Sequence, residues 1–298
     1  MQLPQIKNPI QPGEYRKLAR ALTVVENELE GSQEILQNLS LNPGPTIIGI
    51  TGPPGAGKST LVNALINSFS DEKKLIAVLA VDPTSPFNLG SLLGDRIRMT
   101  EQFNKPNVFI RSLATRGSLG GLSAKTIEMV DVLKSAGFDY ILVETVGVGQ
   151  SEVEIVGLAD ITIVVLVPES GDEIQNIKSG LMEIADIFVV NKADREGADI
   201  FANNLKKLVH QKAGHVPVVK TIADRSEGIR ELLDEVKKYS GKQSQQKPFL
   251  LSEKAWMLIQ RERMRGIDKK KLQLDIAEAS KDPEFNLYRF VDRLLKNS

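Results

Sequence analysis

The chain contains no cysteine, which excludes disulfides, thiolate zinc sites and thiol nucleophiles. Histidine is almost as scarce. Only His210 and His215 occur, too few for the Cys/His relay through which a metal is handed on. Neither charge is in excess: Lys+Arg and Asp+Glu both number 38 in 298 residues. A basic nucleic-acid footprint is therefore not expected, and there is no acidic tail. No apolar run reaches about 18 residues, so no membrane-spanning helix is expected. Met1-Gln2-Leu3-Pro4 at the start shows no basic region leading into an apolar one. These absences make a cytoplasmic protein with neither a membrane nor a nucleic-acid partner the expectation. Repeats and low-complexity tracts are missing too. What is present is an apolar fraction of 41%, which argues against disorder, in a chain long enough for about two domains, or one with extensions.

The chain is organised around Gly52-Pro53-Pro54-Gly55-Ala56-Gly57-Lys58-Ser59, which fits the phosphate-binding pattern G-x-x-x-x-G-K-[ST]. A β-branched run, Thr46 to Thr51, precedes it and reads as a buried strand. Leu61 to Ile66 follows and reads as a helix. The glycines let backbone N–H groups converge on a polyphosphate, and the helix N-terminus adds partial positive charge. Lys58 is expected on the β- and γ-phosphates and the Ser59 hydroxyl on magnesium, with Thr60 completing the segment. Further apolar runs, Lys74–Val81, Asn107–Leu113, Asp139–Thr145, Asp160–Val167, Ile187–Val190 and Val216–Thr221, alternate with helical stretches. This alternation predicts an α/β fold, a mostly parallel sheet with helices on both faces, whose ligand loops lie at the carboxyl ends of the strands. Leucines and valines at helical spacing between Gly13 and Leu39 predict N-terminal helices, divided near Gly31-Ser32. After a polar linker, Gly241 to Pro248, the tail reads as helices, with Leu287, Phe290, Val291, Leu294 and Leu295 on one stripe. So short a tail buries little alone, so this stripe needs a partner surface.

Asn191-Lys192-Ala193-Asp194 has the form N-K-x-D directly after an apolar strand. A carboxylate at Asp194 accepts two hydrogen bonds, from guanine N1–H and the exocyclic amine. Adenine lacks that donor pair. The spacing from the phosphate loop thus points to a GTPase binding GTP and GDP. Three acids are candidates to serve magnesium with Ser59: Asp82 and Glu144 at predicted strand ends, and Asp95 in a loop that would close over the nucleotide.

The chain resembles the MeaB/ArgK family, GTPases associated with methylmalonyl-CoA mutase. The resemblance is carried by Val81-Asp82-Pro83-Thr84-Ser85-Pro86-Phe87, Gly94-Asp95-Arg96-Ile97-Arg98-Met99, Arg116 to Gly121, Val143 to Glu152 and Asn191 to Asp194, with Arg16 to Glu26 upstream. It runs from about Gly13 to Gly228. It implies a P-loop NTPase fold divided into an N-terminal helical extension (1–44), a P-loop GTPase domain (45–240) and a C-terminal helical dimerisation arm (249–298). It also implies a homodimeric chaperone that uses GTP to gate adenosylcobalamin loading into an acyl-CoA mutase, and to protect that mutase from inactivation. The segment Pro168 to Lys178 matches the loop by which family members sense the mutase, and Lys178 aligns with a basic residue implicated in that coupling.

Two positions depart from the Ras-like pattern. Glu144-Thr145-Val146-Gly147 stands where D-x-x-G is usual, the family's own form, and Val148 follows where a water-orienting Gln is usual. An apolar side chain cannot orient water, so slow intrinsic hydrolysis is expected, with Gln150 a weak substitute. At the base-contact loop, Thr221-Ile222-Ala223-Asp224 puts Ile222 at the usual Ser position, leaving the Ala223 N–H as a candidate for the guanine carbonyl. Three other readings stay open: a small-molecule kinase, which needs a second substrate pocket but not N-K-x-D; a metallochaperone GTPase; and a nucleotide-binding module without turnover.

Overall fold

The computed structural model describes residues 11, 13–40, 44–82, 101–114, 124–145, 155–169, 179–212, 216–239, 247–264 and 266–296. They fall into two units, Met1–Lys247 and Pro248–Ser298.

In the first unit seven strands form one parallel sheet in the order β3-β2-β4-β1-β5-β6-β7. They are β1 (Thr46–Thr51), β2 (Ile76–Asp82), β3 (Val108–Ala114), β4 (Tyr140–Glu144), β5 (Ile161–Leu166), β6 (Ile187–Val190) and β7 (Val218–Lys220). All residues of β4, β5 and β6 are buried, as continuous apolar runs must be when helices cover both faces. The helices are α1 (Arg16–Glu26), α2 (Ser32–Gln37), α3 (Lys58–Asp71), α4 (Ala124–Lys134), α5 (Ser179–Ile184), α6 (Ala198–Lys212) and α7 (Ile229–Tyr239).

Alternation along each strand divides the core. Ile48 and Ile50 of β1 pack with Leu61, Leu65 and Phe69 of α3 and with Leu232 and Val236 of α7. Ile47 points to the opposite face, where Leu79, Ile141 and Val143 meet α4 and α1. On that side Gly49 is required by contact: a Cβ there would lie 2.4 Å from Ile155 Cγ1. Farther along the sheet Val164, Phe188 and Val190 pack beneath Phe201, Leu205 and Val209 of α6.

The N-terminal helices are a layer of this core rather than an appendage. Leu18, Ala21, Leu22 and Val25 of α1 are completely buried. Polar clamps fix the layer. Tyr15 donates to Pro106 O at 2.8 Å, its ring 5.3 Å from that of Phe109. Arg111 of β3 pairs with Glu26. Lys125 of α4 donates to Val25 O at 3.0 Å and to Glu128 at 2.8 Å. Gly31, with φ +88°, makes the break before α2.

At the amino ends of the strands a recurring device joins neighbours. Asp139, Asp160 and Asp186, each just before its own strand, accept the N–H groups of Leu75, Ile47 and Thr162 at 2.8, 2.8 and 2.7 Å. These acids thus serve the sheet at the end opposite the nucleotide loop.

The second unit comprises α8 (Lys247–Met264), α9 (Lys269–Ala279) and α10 (Leu287–Lys296). Lys247 and Pro248, expected in the linker, form the first turn of α8, where a proline's missing N–H costs no helical hydrogen bond. Asp268 caps α9 by accepting from Lys270 and Lys271 N–H, and Asn286 accepts from Tyr288 and Arg289 N–H at the start of α10. No residue of α10 is buried. Leu287, Val291 and Leu295 are 49%, 44% and 63% exposed, whereas Phe290 and Leu294 of the same stripe are partly buried, the Phe290 ring lying 6.1 Å from that of Phe285.

Candidate nucleotide site

The parallel registers bring the ends of β1, β4, β5 and β6 together. Glu144, the last residue of β4, lies level with Ile50 of β1 and Ala80 of β2. Thr145 then ties the two strand ends, its N–H donating to Ile50 O at 3.0 Å and its hydroxyl to Thr51 Oγ1 at 2.9 Å.

Between β1 and α3 the loop from Gly52 to Gly57 needs its glycines for two distinct reasons. Gly52 has φ +138°, and a Cβ there would lie 2.1 Å from Val165 O. Gly57 has φ +88°, and a Cβ there would lie 2.3 Å from Asn191 Nδ2. Pro53 is partly buried, Pro54 and Gly55 are exposed, and Ala56 is buried. The open side of the loop is therefore its crown, above the N-terminus of α3. Lys58 is 7% exposed, and its ammonium donates to Gly52 O at 2.9 Å and Pro53 O at 3.0 Å. A buried cation is tolerable only with such acceptors. Ser59 donates its hydroxyl hydrogen bond to Glu144 Oε1 at 2.6 Å, and Glu144 is itself 8% exposed. Thr60 is exposed on the first turn of α3.

Asn191 is the joint of the site. Its Nδ2 donates to Ala56 O at 3.0 Å. Its Oδ1 accepts from Thr221 Oγ1 at 3.1 Å and from Ala223 N–H at 3.2 Å. One side chain thus holds the phosphate loop, the end of β6 and the loop after β7. Lys192, with φ +55°, donates to Gly55 O at 2.8 Å and lies along the loop crown. Asp194 is half-exposed, with Arg225 NH2 3.4 Å from its Oδ2. Next in sequence, Arg195 pairs with Glu169, three residues past β5. That hydrogen bond holds the Glu169 carboxyl below the usual carboxylate range.

The Ala223 N–H, expected toward the guanine carbonyl, is donated to Asn191. Ile222 contributes through its backbone: its N–H donates to Glu227 O at 3.1 Å and its carbonyl accepts from Glu227 N–H at 3.2 Å. Gly228 closes the turn with φ +75°, where a Cβ would lie 2.1 Å from Lys220 O. Asp224 is exposed on the turn. Sequence reasoning missed Thr51, Thr145, Arg225, Glu227 and Gly228. Only Gly228, closing Ser226-Glu227-Gly228 before an amphipathic helix, carried a sequence signal for the turn.

Of the acids expected at magnesium, Glu144 is placed beside Ser59. Asp82 ends β2, two residues beyond the register partner of Glu144. The side chain of Asp82 lies outside the described residues, as do Asp95, Val148, Gln150 and Lys178. The donor set suits a magnesium ion that shares a hydroxyl and carboxylates with phosphate oxygens and water. Such a site requires no all-protein cage. Among the described residues no cluster of three His, Cys, Asp or Glu could hold a metal by itself.

A glycine loop entering a helix at the centre of a parallel sheet, with Asn191 and Lys192 bound to that loop, defines a P-loop GTPase. The chain belongs to the family of the methylmalonyl-CoA mutase-associated GTPase MeaB, whose model matches residues 18–262. It is 45% identical over 283 residues to a Pyrococcus horikoshii protein named as a GTPase, covering 90% of this chain and 88% of that one. It is 42% identical over 190 residues to the GTPase ArgK of Escherichia coli, covering 62% and 57%. The crystal structure of a protein named LAO/AO transport system kinase matches it with a TM-score of 0.68 at 25% identity, over 96% of this chain and 93% of that one. No described helix is long and apolar enough to cross a membrane.

Proposed function

We propose that this GTPase is a cytoplasmic, homodimeric chaperone of an adenosylcobalamin-dependent acyl-CoA mutase, methylmalonyl-CoA mutase being the first candidate. GTP binding and slow hydrolysis gate cofactor loading and protect the mutase from inactivation. The observation that carries the nucleotide part is the joint at Asn191, which fixes the guanine-reading segment to the phosphate loop. The mutase part is supported by the family's own description.

In this reading the N–H groups of Gly52 to Ser59 and the Lys58 ammonium bind the phosphates. Ser59 and Glu144 hold magnesium with Asp82 and Asp95, and the ion supplies charge neutralisation to the γ-phosphate. Asp194 reads the guanine edge, with Asn191, Lys192 and the Ile222, Ala223 and Asp224 turn shaping the base pocket. Lys178 transmits the presence of the mutase. The exposed apolar side chains of Leu287, Val291 and Leu295 on α10 support the dimer, since apolar residues exposed on one helix face invite a second copy. Steady-state GTPase rates with and without the mutase test the proposal: a rise on adding mutase supports it, and equal rates oppose it.

The kinase reading has one observation in its favour, the likeness to a crystal structure whose protein is named a kinase. Incubation with labelled GTP and a host extract separates the two. Label recovered only as inorganic phosphate supports the GTPase chaperone, and label on a small molecule supports the kinase.

A further inference from the structure

We infer that Arg225 is a specificity-determining residue of the base site, acting by positioning the Asp194 carboxylate for the guanine edge. The inference rests on the proposal that Asp194 reads that edge.

Asp194 and Arg225 come from different strand ends. Asp194 lies four residues beyond β6, and Arg225 ends the short 3-10 turn Ala223–Arg225 after β7. Their side chains are 37% and 58% exposed, and NH2 stands 3.4 Å from Oδ2. An exposed ion pair contributes little to stability, so stability is a poor reason for this contact. Base recognition is a better one. To bind guanine, Asp194 must present one oxygen to N1–H and the other to the exocyclic amine at once. A half-exposed carboxylate on a turn is otherwise free to rotate. A cation beside Oδ2 fixes that rotation. At 3.4 Å it also stays outside the 2.7–2.9 Å range of a tight charge-assisted bond, so acceptor capacity remains for the ligand.

The turn that carries Arg225 is firmly held. Ala223 N–H is anchored on Asn191, Ile222 and Glu227 bond each other in both directions, and Gly228 packs against Lys220 O. The same Asn191 positions the phosphate loop, so Arg225 is set in one frame with both ends of the nucleotide. The other described cations nearby are engaged elsewhere: Arg195 with Glu169, Lys192 with Gly55 O, Lys220 with Asp199. Arg225 is the one directed to Asp194.

Inosine diphosphate tests this, because it keeps N1–H but lacks the exocyclic amine. The ratio of GDP to IDP affinity therefore reads the second hydrogen bond. By calorimetry on the full chain, Arg225→Ala should lower that ratio by about three- to tenfold, the factor carried by one hydrogen bond, with an unchanged melting temperature. Arg225→Lys should recover part of it, since it restores charge without the fork. An unchanged ratio in Arg225→Ala, or equal weakening of GDP and IDP together with a lower melting temperature, overturns the inference. Asp194→Ala is the companion variant. Loss of the ratio there supports the frame, whereas a wild-type ratio in Asp194→Ala removes the assignment of Asp194 itself.

Discussion

Ser59 and Glu144, 85 residues apart in sequence, share a 2.6 Å hydrogen bond between the first turn of α3 and the end of β4. A hydroxyl and a buried carboxylate are thereby held at the mouth of the phosphate loop, a pairing suited to one magnesium ion. Glu144→Gln keeps an acceptor for the Ser59 hydroxyl but removes the charge. Magnesium-dependent GTP turnover should fall by about 10–100-fold, while GDP binding in chelator changes little. Turnover assays across a magnesium titration check this.

The N-terminal layer makes a stability prediction. Leu22 is completely buried between α1 and the sheet. Leu22→Ala should destabilise the first unit by about 2–5 kcal/mol, measured by urea unfolding. Were the helices a loose extension, the cost would be close to that of a surface substitution, within about 0.5 kcal/mol.

Asp186 gives a pH dependence of definite sign. Burial pushes its carboxyl above the usual range, partly offset by the hydrogen bond from Thr162 N–H. A raised pKa in the fold means that the protonated form is favoured there. Its contribution is fully present below the unfolded pKa of about 3.9 and is lost as pH rises through the folded value. Asp186→Asn keeps an acceptor for Thr162 and has no charge to desolvate. The melting-temperature difference between variant and parent should therefore move in the variant's favour between about pH 3 and pH 7. Thermal melts at both pH values check it.

Lys178 ends a charge-rich segment that begins at Glu169, and Glu169 is bound to Arg195, the residue after Asp194. Lys178→Ala should keep GDP affinity and basal turnover but lose stimulation by the mutase. A cation supplied at the transferring phosphate is worth about 10³–10⁵ in rate among known GTPases, and a lysine acting through a partner should give less. Full stimulation of the variant would remove this segment from the mechanism.

Much of the sheet was legible because its strands are apolar and β-branched. Thr46–Thr51 and Ile187–Val190 are β1 and β6 without change, and the others differ by a residue or two at their ends. The glycine loop and N-K-x-D were legible because their residue types are dictated by backbone approach and by guanine's donors. Long-range contacts were not. Leu18 and Leu22 announced a helix, but nothing in their spacing said that it covers β2 to β4. Asp139, Asp160 and Asp186 read as ordinary acids, because the N–H groups they accept belong to other strands. Arg225 stayed hidden for the same reason: its partner Asp194 comes from another strand end, and the turn that carries Arg225 is closed by backbone hydrogen bonds between Ile222 and Glu227.

The central claim is that nucleotide turnover here answers to a mutase. The most direct measurement is the steady-state GTPase rate of the full chain, alone and with a saturating adenosylcobalamin-dependent methylmalonyl-CoA mutase from the same host. The account predicts slow hydrolysis by the free protein and a clear increase on adding the mutase. A rate that stays the same across the titration, with no complex detected by light scattering, would contradict it.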